Sequence, residues 1–282
     1  RKNTKEDKQM QPTLQQPTTG NSLATWFMNP LIGKLSKIDE RSEDCATYSG
    51  VASKCLGFMV AIFIGVAIAM LVQVFDPMVM DANGDVTYMS PIATVLGLLS
   101  LVFFVLTPFL AFLIRATIPV TGTLYCASTG YLFTLLSIVI PEYRGAVLLA
   151  IMLTVVIVAV MSLVYAKGWI KVDQKFRNVM SVLFWSTVAT SVLVGVCSFI
   201  PALKCVPELI GQHPWVSILG SLAYVVIAAL FLLVDFDTIQ KAVERKLPRK
   251  YEWYAAFGLA FSVIWLFLKL FSLISKVKSN NK

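Results

Sequence analysis

The chain has 282 residues, of which 57% are hydrophobic and only 14% are charged, and its formal net charge is +8. Soluble domains contain about 25% charged residues, so this composition excludes an ordinary soluble domain and indicates a membrane protein. The net positive charge does not indicate a nucleic-acid partner, because the basic residues lie in short segments between apolar runs.

Two polar segments are predicted to precede the membrane domain. Residues 1–24 are rich in Gln, Thr, Lys and Pro and show no apolar periodicity, which predicts a disordered tail. Residues 25–54 include NPLIGKLSKIDE and are predicted to lie at the membrane interface before the first span.

Residues 55–275 are predicted to form one all-α bundle of seven transmembrane helices. A helix needs about 20 apolar residues to cross the hydrocarbon core. Seven segments meet this requirement: 55–75, 92–114, 119–140, 145–166, 179–200, 216–236 and 253–275. Residues 276–282 form a basic C-terminal tail.

Lysine and arginine residues predict that the N-terminus is cytoplasmic. With seven spans, most of them lie before the first span or in the 2–3, 4–5 and 6–7 loops, whereas the opposite loops contain only Arg144 and Lys204. Cytoplasmic loops carry this excess of positive charge in membrane proteins. The basic C-terminal tail falls on the opposite side and is the one exception. A re-entrant seventh segment, which would bring the tail inside, is the alternative.

Five ionisable side chains lie within or at the ends of the predicted spans. Such side chains are costly in a bilayer unless they are paired or hydrated, so each is a candidate functional residue. They are Arg115 after span two, Asp235 and Asp237 in the stretch LLVDFDTIQ, Glu252 at the start of span seven, and Lys269 within it.

Asp235 and Asp237 lie two positions apart. Side chains at that spacing on a helix point about 200° apart, so the two carboxylates cannot face one ion unless the helix breaks. Calcium takes about six to eight oxygen ligands, and a compact metal site built from these two residues is therefore not expected.

Asp237 has a structural and a functional interpretation. Lys241 lies four residues after it, a spacing that allows an ordinary ion pair on the helix surface. Alternatively, Asp237 pairs with Arg115 at the same membrane face. Burial raises the pKa of a carboxyl group, whereas a neighbouring cation lowers it, so such a pair can serve as a proton-operated latch.

The other charges have structural interpretations of their own. Arg115 can extend its side chain to the lipid interface. Glu252 lies in the first turn of its helix, where the helix dipole favours an acid. Lys269 lies near the outer end of the last span and can extend outward, and Ser262, seven residues before it, shares its helix face.

The stretch DFDTIQKAVERKLPRKYEWYAAFGLAFSVIWLFLKL resembles the end of the Bax inhibitor-1/YccA family, in its bacterial YccA-like form. GVASKCLGFMVA and GWIKVDQKFRNVM agree with this resemblance, which covers about residues 50–275. It implies a seven-helix fold with the seventh helix in the centre, in a membrane, with the bacterial inner membrane as the expected location.

The resemblance also implies a pH-sensitive calcium leak. In such proteins an aspartate at the end of helix six pairs with an aspartate in helix seven, and an arginine from helix two holds the closed state. Asp237 matches the first aspartate and Arg115 matches the arginine. The second aspartate has no counterpart, since Ser262 aligns there, or Lys269 after a shift of one heptad. An aspartate facing a serine lacks the coupled titration of two carboxylates that share a proton.

Two functions follow from these residues. The first is an ion leak that carries calcium and is gated by Asp237 and Arg115, with no cofactor other than calcium as the transported ion near Asp237. The second is a non-conducting regulator that binds another membrane protein, such as a protease. An intramembrane enzyme is disfavoured because the chain has no HExxH motif and no second aspartate in a glycine-rich span, so the protein is predicted not to be an enzyme.

Overall fold

A computed structural model describes residues 45–80, 86–88, 90–199 and 214–280. Over these ranges the chain is helical apart from one short antiparallel pair of strands, β1 (Val79–Met80) and β2 (Val86–Tyr88), between the first two helices. The long helices are α1 (Tyr48–Phe75), α2 (Pro91–Leu113), α3 (Ile118–Val139), α4 (Arg144–Ala166), α5 (Gln174–Phe199), α6 (Pro214–Glu244) and α7 (Glu252–Asn280).

Six of these helices, all except α5, are long and apolar enough to cross a membrane. The outward faces of α1, α2 and α4 expose large apolar side chains, among them Phe63, Phe109 and Met152. These apolar faces suit contact with the hydrocarbon core of a membrane, which contains no water. The predicted tail 1–24 and most of the predicted interfacial segment lie outside the described residues.

The seven helices overlap the predicted spans, but α1, α5, α6 and α7 extend beyond them. α7 continues to Asn280, through most of the segment predicted to be a basic C-terminal tail. α1 begins at Tyr48 because Thr47 caps it, with the Gly50 N–H donating to Thr47 Oγ1 at 3.0 Å. α6 continues to Glu244, where Gln240 Nε2 donates to Glu244 Oε1 at 2.7 Å across one turn. The two aspartates are therefore inside a continuous helix.

Two helices end at a residue in the left-handed backbone conformation. Gly168 has a φ of 65° and closes α4, with its N–H donating to the Tyr165 carbonyl at 2.9 Å. Lys246 has a φ of 54° and closes α6, and the next N–H, that of Leu247, donates to the Ala242 carbonyl at 3.3 Å. Glycine adopts this conformation without strain, whereas lysine adopts it at some cost. Both turns bring the chain back sharply into the next segment.

α7 packs against α1, α3, α4 and α6, and α5 packs against α6. One part of the core joins α1, α3 and α7 through aromatic rings: Phe257 lies edge-on to Phe58 and to Tyr125, with 5.9 Å between ring centroids in each pair. A second part joins α4, α6 and α7 around the fully buried Leu232 and Leu266. α7 therefore contributes to both parts of the core.

Two glycines bring the backbones of α1 and α3 into direct contact. A Cβ atom on Gly65 would overlap the carbonyl group of Ala127, and one on Gly130 would overlap the carbonyl oxygen of Ile62. Small residues allow this close approach of helices in membranes, where packing rather than the hydrophobic effect holds helices together.

Gly65→Ala is expected to destabilise the fold, because the added methyl group has no space between the two backbones. Overpacking of this kind costs about 1–3 kcal/mol. Gly57→Ala is the matched control on the same helix, since a Cβ there has nothing within 4 Å. Thermal unfolding in detergent, followed by size-exclusion chromatography, compares the two variants. Equal unfolding midpoints would show that α1 and α3 are not packed this closely.

Candidate functional site

Four charged residues come together where the end of α6 meets the start of α5, and we refer to them as the charge cluster: Arg177, Asp235, Asp237 and Lys241. Arg177 Nη2 donates to Asp237 Oδ2, and Lys241 Nζ lies 3.0 Å from the same oxygen. Arg177 is 6% exposed, Asp237 8% and Asp235 0%. Three charges are thus removed from solvent, and the guanidinium of one helix is paired with a carboxylate of another.

The first turns of α5 direct Arg177 towards α6. Asp173 starts the helix by accepting the N–H of Phe176 at Oδ1, at 2.8 Å. Arg177 lies one turn before Met180, which is buried against Phe231 of α6. Residues three apart on a helix share a face, so the packing of Met180 also places the guanidinium against α6.

Asp235 lies nearly two turns before Lys241 on α6 and is fully buried. It interacts electrostatically with Arg177. Because α6 is unbroken here, Asp235 and Asp237 keep their helical separation and do not form one chelating pair. The sequence prediction allowed one of them to face the interface, whereas the structure buries both.

The end of α4 closes over this region. Tyr165 donates its hydroxyl to Gln240 Oε1 at 2.5 Å, and its ring lies 5.9 Å from that of Phe236. Tyr165 also interacts electrostatically with Arg177. The charge cluster is therefore bounded by the ends of α4 and α6 and by the start of α5.

Glu252 forms a second polar centre at the same end of the bundle. Its carboxylate accepts the backbone N–H of Thr47 at 2.9 Å and the Thr47 hydroxyl at 3.3 Å, and it forms an ion pair with Lys54. A Cβ on Gly50 would overlap this carboxylate, so a larger residue there would displace the Glu252 side chain. At 1% exposure, Glu252 joins the start of α1 to the start of α7.

A backbone contact strengthens this second centre. The Ala46 N–H donates to the Leu247 carbonyl at 2.6 Å, and Cys45 forms an isolated antiparallel bridge with Pro248. The segment before α1 is thus attached to the turn between α6 and α7.

Lys269 lies further out along α7. Its ammonium group is 5.1 Å from the centroid of the Tyr224 ring on α6 and 5.9 Å from that of Trp265 on its own helix. A cation over an aromatic face is attracted by the electrons of the ring. Lys269 is therefore directed at α6, rather than extended away from the bundle.

The model of the Bax inhibitor 1 like family matches residues 1–279 of this chain. The chain belongs to this family. Neither the curated proteins nor the solved structures gave a significant match. The family expected from DFDTIQ and the stretch that follows it is thereby confirmed. Membership and the six apolar helices make this chain a multi-pass membrane protein.

In this Bax inhibitor 1 like protein, the predicted site residues do not form one site. Asp237 and Asp235 lie in the charge cluster, and Glu252 lies in a separate centre on α1 and α7. Ser262 is buried in α7 at 2% exposure, and Lys269 lies two turns further along that helix. The predicted ion pair of Asp237 with Lys241 is confirmed.

Arg115 follows α2 in a single 3₁₀ turn, Arg115–Thr117, and its side chain lies outside the described residues. Its pairing with Asp237 stays a prediction. The described guanidinium partner of Asp237 is that of Arg177, which the sequence did not single out although GWIKVDQKFRNVM contains it. The signal that was available is its spacing, because Arg177 precedes the apolar positions 180 and 184 by one and two turns.

The charge cluster in this arrangement is poorly suited to hold calcium. The Asp237 oxygen is already bonded to two cations, and calcium takes about six to eight oxygen ligands. Among the residues that the structure describes, no three His, Cys, Asp or Glu side chains come together. An ion that passes Asp237 would first have to displace the guanidinium.

Arg177→Gln is expected to lower stability markedly, because it leaves a buried carboxylate with only Lys241, whose side chain is 41% exposed. Removing one partner of a buried ion pair costs about 3–5 kcal/mol. Lys241→Gln, the matched control, should cost at most about 1 kcal/mol because that pair is partly solvated. Unfolding midpoints in detergent give both values. The double variant Arg177→Gln/Asp237→Asn should recover part of the loss, and additive losses would argue against a direct pair.

Glu252→Gln is expected to loosen the start of α1, because the neutral amide no longer balances the Lys54 ammonium and cannot accept hydrogen bonds as strongly from Thr47. Arg249→Gln is the control, since Arg249 Nε lies 4.0 Å from Glu252 Oε2 and its side chain is 65% exposed. Hydrogen exchange of residues 45–50, followed by mass spectrometry, measures the effect. Faster exchange in both variants, or in neither, would contradict the role given to Glu252.

Proposed function

We propose that this protein is a seven-span membrane protein that allows a regulated leak of calcium, closed at its cytoplasmic end by a latch between Asp237 and Arg177. The observation that carries the proposal is the buried carboxylate of α6 bonded to the guanidinium of α5. The proposal includes a central α7, a cytoplasmic N-terminus, a bacterial YccA-like type in the inner membrane, and no catalytic activity.

The distribution of charge supports this orientation. Exposed basic side chains gather in the α4–α5 and α6–α7 connections, at the end of the bundle where the charge cluster lies: Lys167, Lys171, Lys175, Arg245, Lys246, Arg249 and Lys250. Cytoplasmic loops are enriched in such residues. If α5 crosses the membrane as the fifth span, the N-terminus shares this side with both connections. The contacts of α7 with four other helices support its central position.

The position of α5 explains how a latch can work. α5 packs against α6, and the Arg177–Asp237 pair joins the two helices at their cytoplasmic ends. Protonation of Asp237 removes the charge that balances the guanidinium. A buried arginine without its counter-charge is unstable, so the start of α5 is driven towards water and away from α6. The pair is complete when Asp237 is ionised and is lost as the pH falls.

The neighbouring charges modulate this latch. Asp235 and Lys241 lie on α6 with Asp237, Tyr165 faces the cluster from α4, and Arg245 interacts electrostatically with Arg177. Asp235 is an acid that can retain Arg177 in part after Asp237 is protonated. A graded response to pH, rather than a sharp one, follows from this second acid.

The alternative function, a non-conducting regulator that binds another membrane protein, is favoured by one observation. The ammonium group of Lys269 lies between α6 and α7, where a calcium pathway along these helices would be expected to carry acids. A regulator needs no such pathway. Calcium flux discriminates the two functions.

Calcium uptake into proteoliposomes loaded with a fluorescent indicator tests the leak. Wild-type uptake is expected to rise as the pH falls through the range in which Asp237 becomes protonated, because protonation releases the latch. Asp237→Asn should give fast uptake at every pH, and Arg177→Gln should do the same. Arg115→Ala tests whether the predicted second arginine also holds the closed state.

Two exposed charges serve as controls for these variants. Arg144 is exposed at the opposite end of α4, and Glu244 is an exposed acid on the same helix as Asp237. Arg144→Gln and Glu244→Gln should both behave as wild type. If wild type, Asp237→Asn and Arg177→Gln all take up calcium no faster than empty liposomes, the proposed leak is rejected. The regulator is then the remaining function.

A further inference from the structure

The charge cluster is the innermost of three layers along the seam where α5, α6 and α7 meet. The next layer outward is aromatic and consists of Phe184, Phe231 and Trp265, one from each helix. The third layer consists of Lys269 and Tyr224. The order is the same on α6 and α7, because Tyr224 precedes Phe231 and Lys269 follows Trp265 on antiparallel helices.

The aromatic layer closes the seam in this structure. Phe184 lies 5.3 Å from Phe231 and 5.6 Å from Trp265, and Phe231 lies 6.0 Å from Trp265, measured between ring centroids. Each ring thus contacts the other two. An apolar constriction of this kind excludes hydrated ions until its helices separate.

Lys269 lies directly outside this layer. It follows Trp265 by one turn, which is about 6 Å along the helix. Its ammonium group lies over the rings of both Trp265 and Tyr224. The ion pairs that the structure describes lie at the other end of the bundle, on Asp237 and Glu252, and none of them includes Lys269.

A second lysine adds to the positive charge at this end. Lys276 lies two turns beyond Lys269 on the same face of α7, and its ammonium group donates to Ser221 Oγ of α6 at 2.7 Å. The outer end of the α6–α7 contact is therefore lined by two cations, whereas the inner end contains Asp235 and Asp237. An ammonium group within a span is costly and calls for a function.

We propose that Lys269 is a charge filter at the outer end of the seam, where its ammonium group, held in place by the rings of Tyr224 and Trp265, repels calcium and other cations. The filter rests on the proposed leak and adds a second barrier to it. Release of the Asp237 latch separates α5 from α6 but leaves the charge of Lys269 in place. The leak of the wild-type protein is accordingly small even in acid.

A charge series at position 269 tests this proposal, with calcium uptake as the readout, at the pH at which wild-type uptake is fastest. Lys269→Arg keeps the charge and should match wild type. Lys269→Gln should increase initial uptake by roughly tenfold, which is the order of the repulsion of a divalent ion by one charge about 5 Å away in water. Lys269→Glu should increase uptake further. Lys278→Gln, whose ammonium group is bonded to the Glu142 carbonyl outside the seam, is the control and should match wild type.

Uptake should follow the charge at position 269 and not the stability of each variant. A purely structural lysine would instead give uptake that follows the unfolding midpoint, with Lys269→Glu the most damaged. Uptake of Lys269→Gln and Lys269→Glu equal to that of wild type overturns the filter, whatever the wild-type rate.

The same assay separates this proposal from the latch. If Asp237→Asn increases uptake but the substitutions at position 269 do not change it, the leak is supported and the filter is rejected. A raised uptake in Lys269→Gln with no effect of Asp237→Asn supports the filter and rejects the latch. If neither position changes uptake from the level of empty liposomes, both proposals fail.

Discussion

The ion pair between Asp237 and Arg177 joins the start of α5 to α6, next to the apolar contacts that Met180 and Phe184 make. Both groups are almost completely buried, and Lys241 adds a second cation to the same carboxylate oxygen. A charge pair in such surroundings is stable only while it is complete, because either group alone is strongly disfavoured away from water. The attachment of this end of α5 therefore depends on the complete pair, and separating the two groups would require access of water to Arg177.

Charge in this bundle is ordered along its length. The end where α6 finishes and α7 begins contains the charge cluster and the Glu252 centre, in which Asp237 and Glu252 are each paired with a cation. The middle of the α5–α6–α7 seam contains aromatic rings. The C-terminal half of α7 contains lysines whose ammonium groups lie over aromatic rings or donate to a serine and to a backbone carbonyl. An ion that moved along the seam would meet an acid, then an apolar layer, then a cation.

The sequence predicted the helices, the family and the ion pair of Asp237 with Lys241, because these depend on local patterns. Runs of apolar residues define spans, and DFDTIQKAVERK is a contiguous stretch. The partners of the buried charges could not be predicted in the same way. Arg177 and Asp237 lie 60 residues apart in the sequence. Thr47 and Glu252 lie 205 residues apart. Only the packing of the helices brings the two members of each pair together. The spacing of Arg177 relative to Met180 indicates a buried face, but it does not indicate which acid lies opposite.

The two glycines between α1 and α3 have a consequence for how the protein can move. Where carbonyl groups of one helix touch the α-carbons of another, neither helix can slide or rotate without a steric clash. The Glu252 centre attaches α1 in turn to α7. These three helices thus form a rigid frame, held by contacts too close to admit a single methyl group, and the proposed separation of α5 from α6 leaves this frame unchanged.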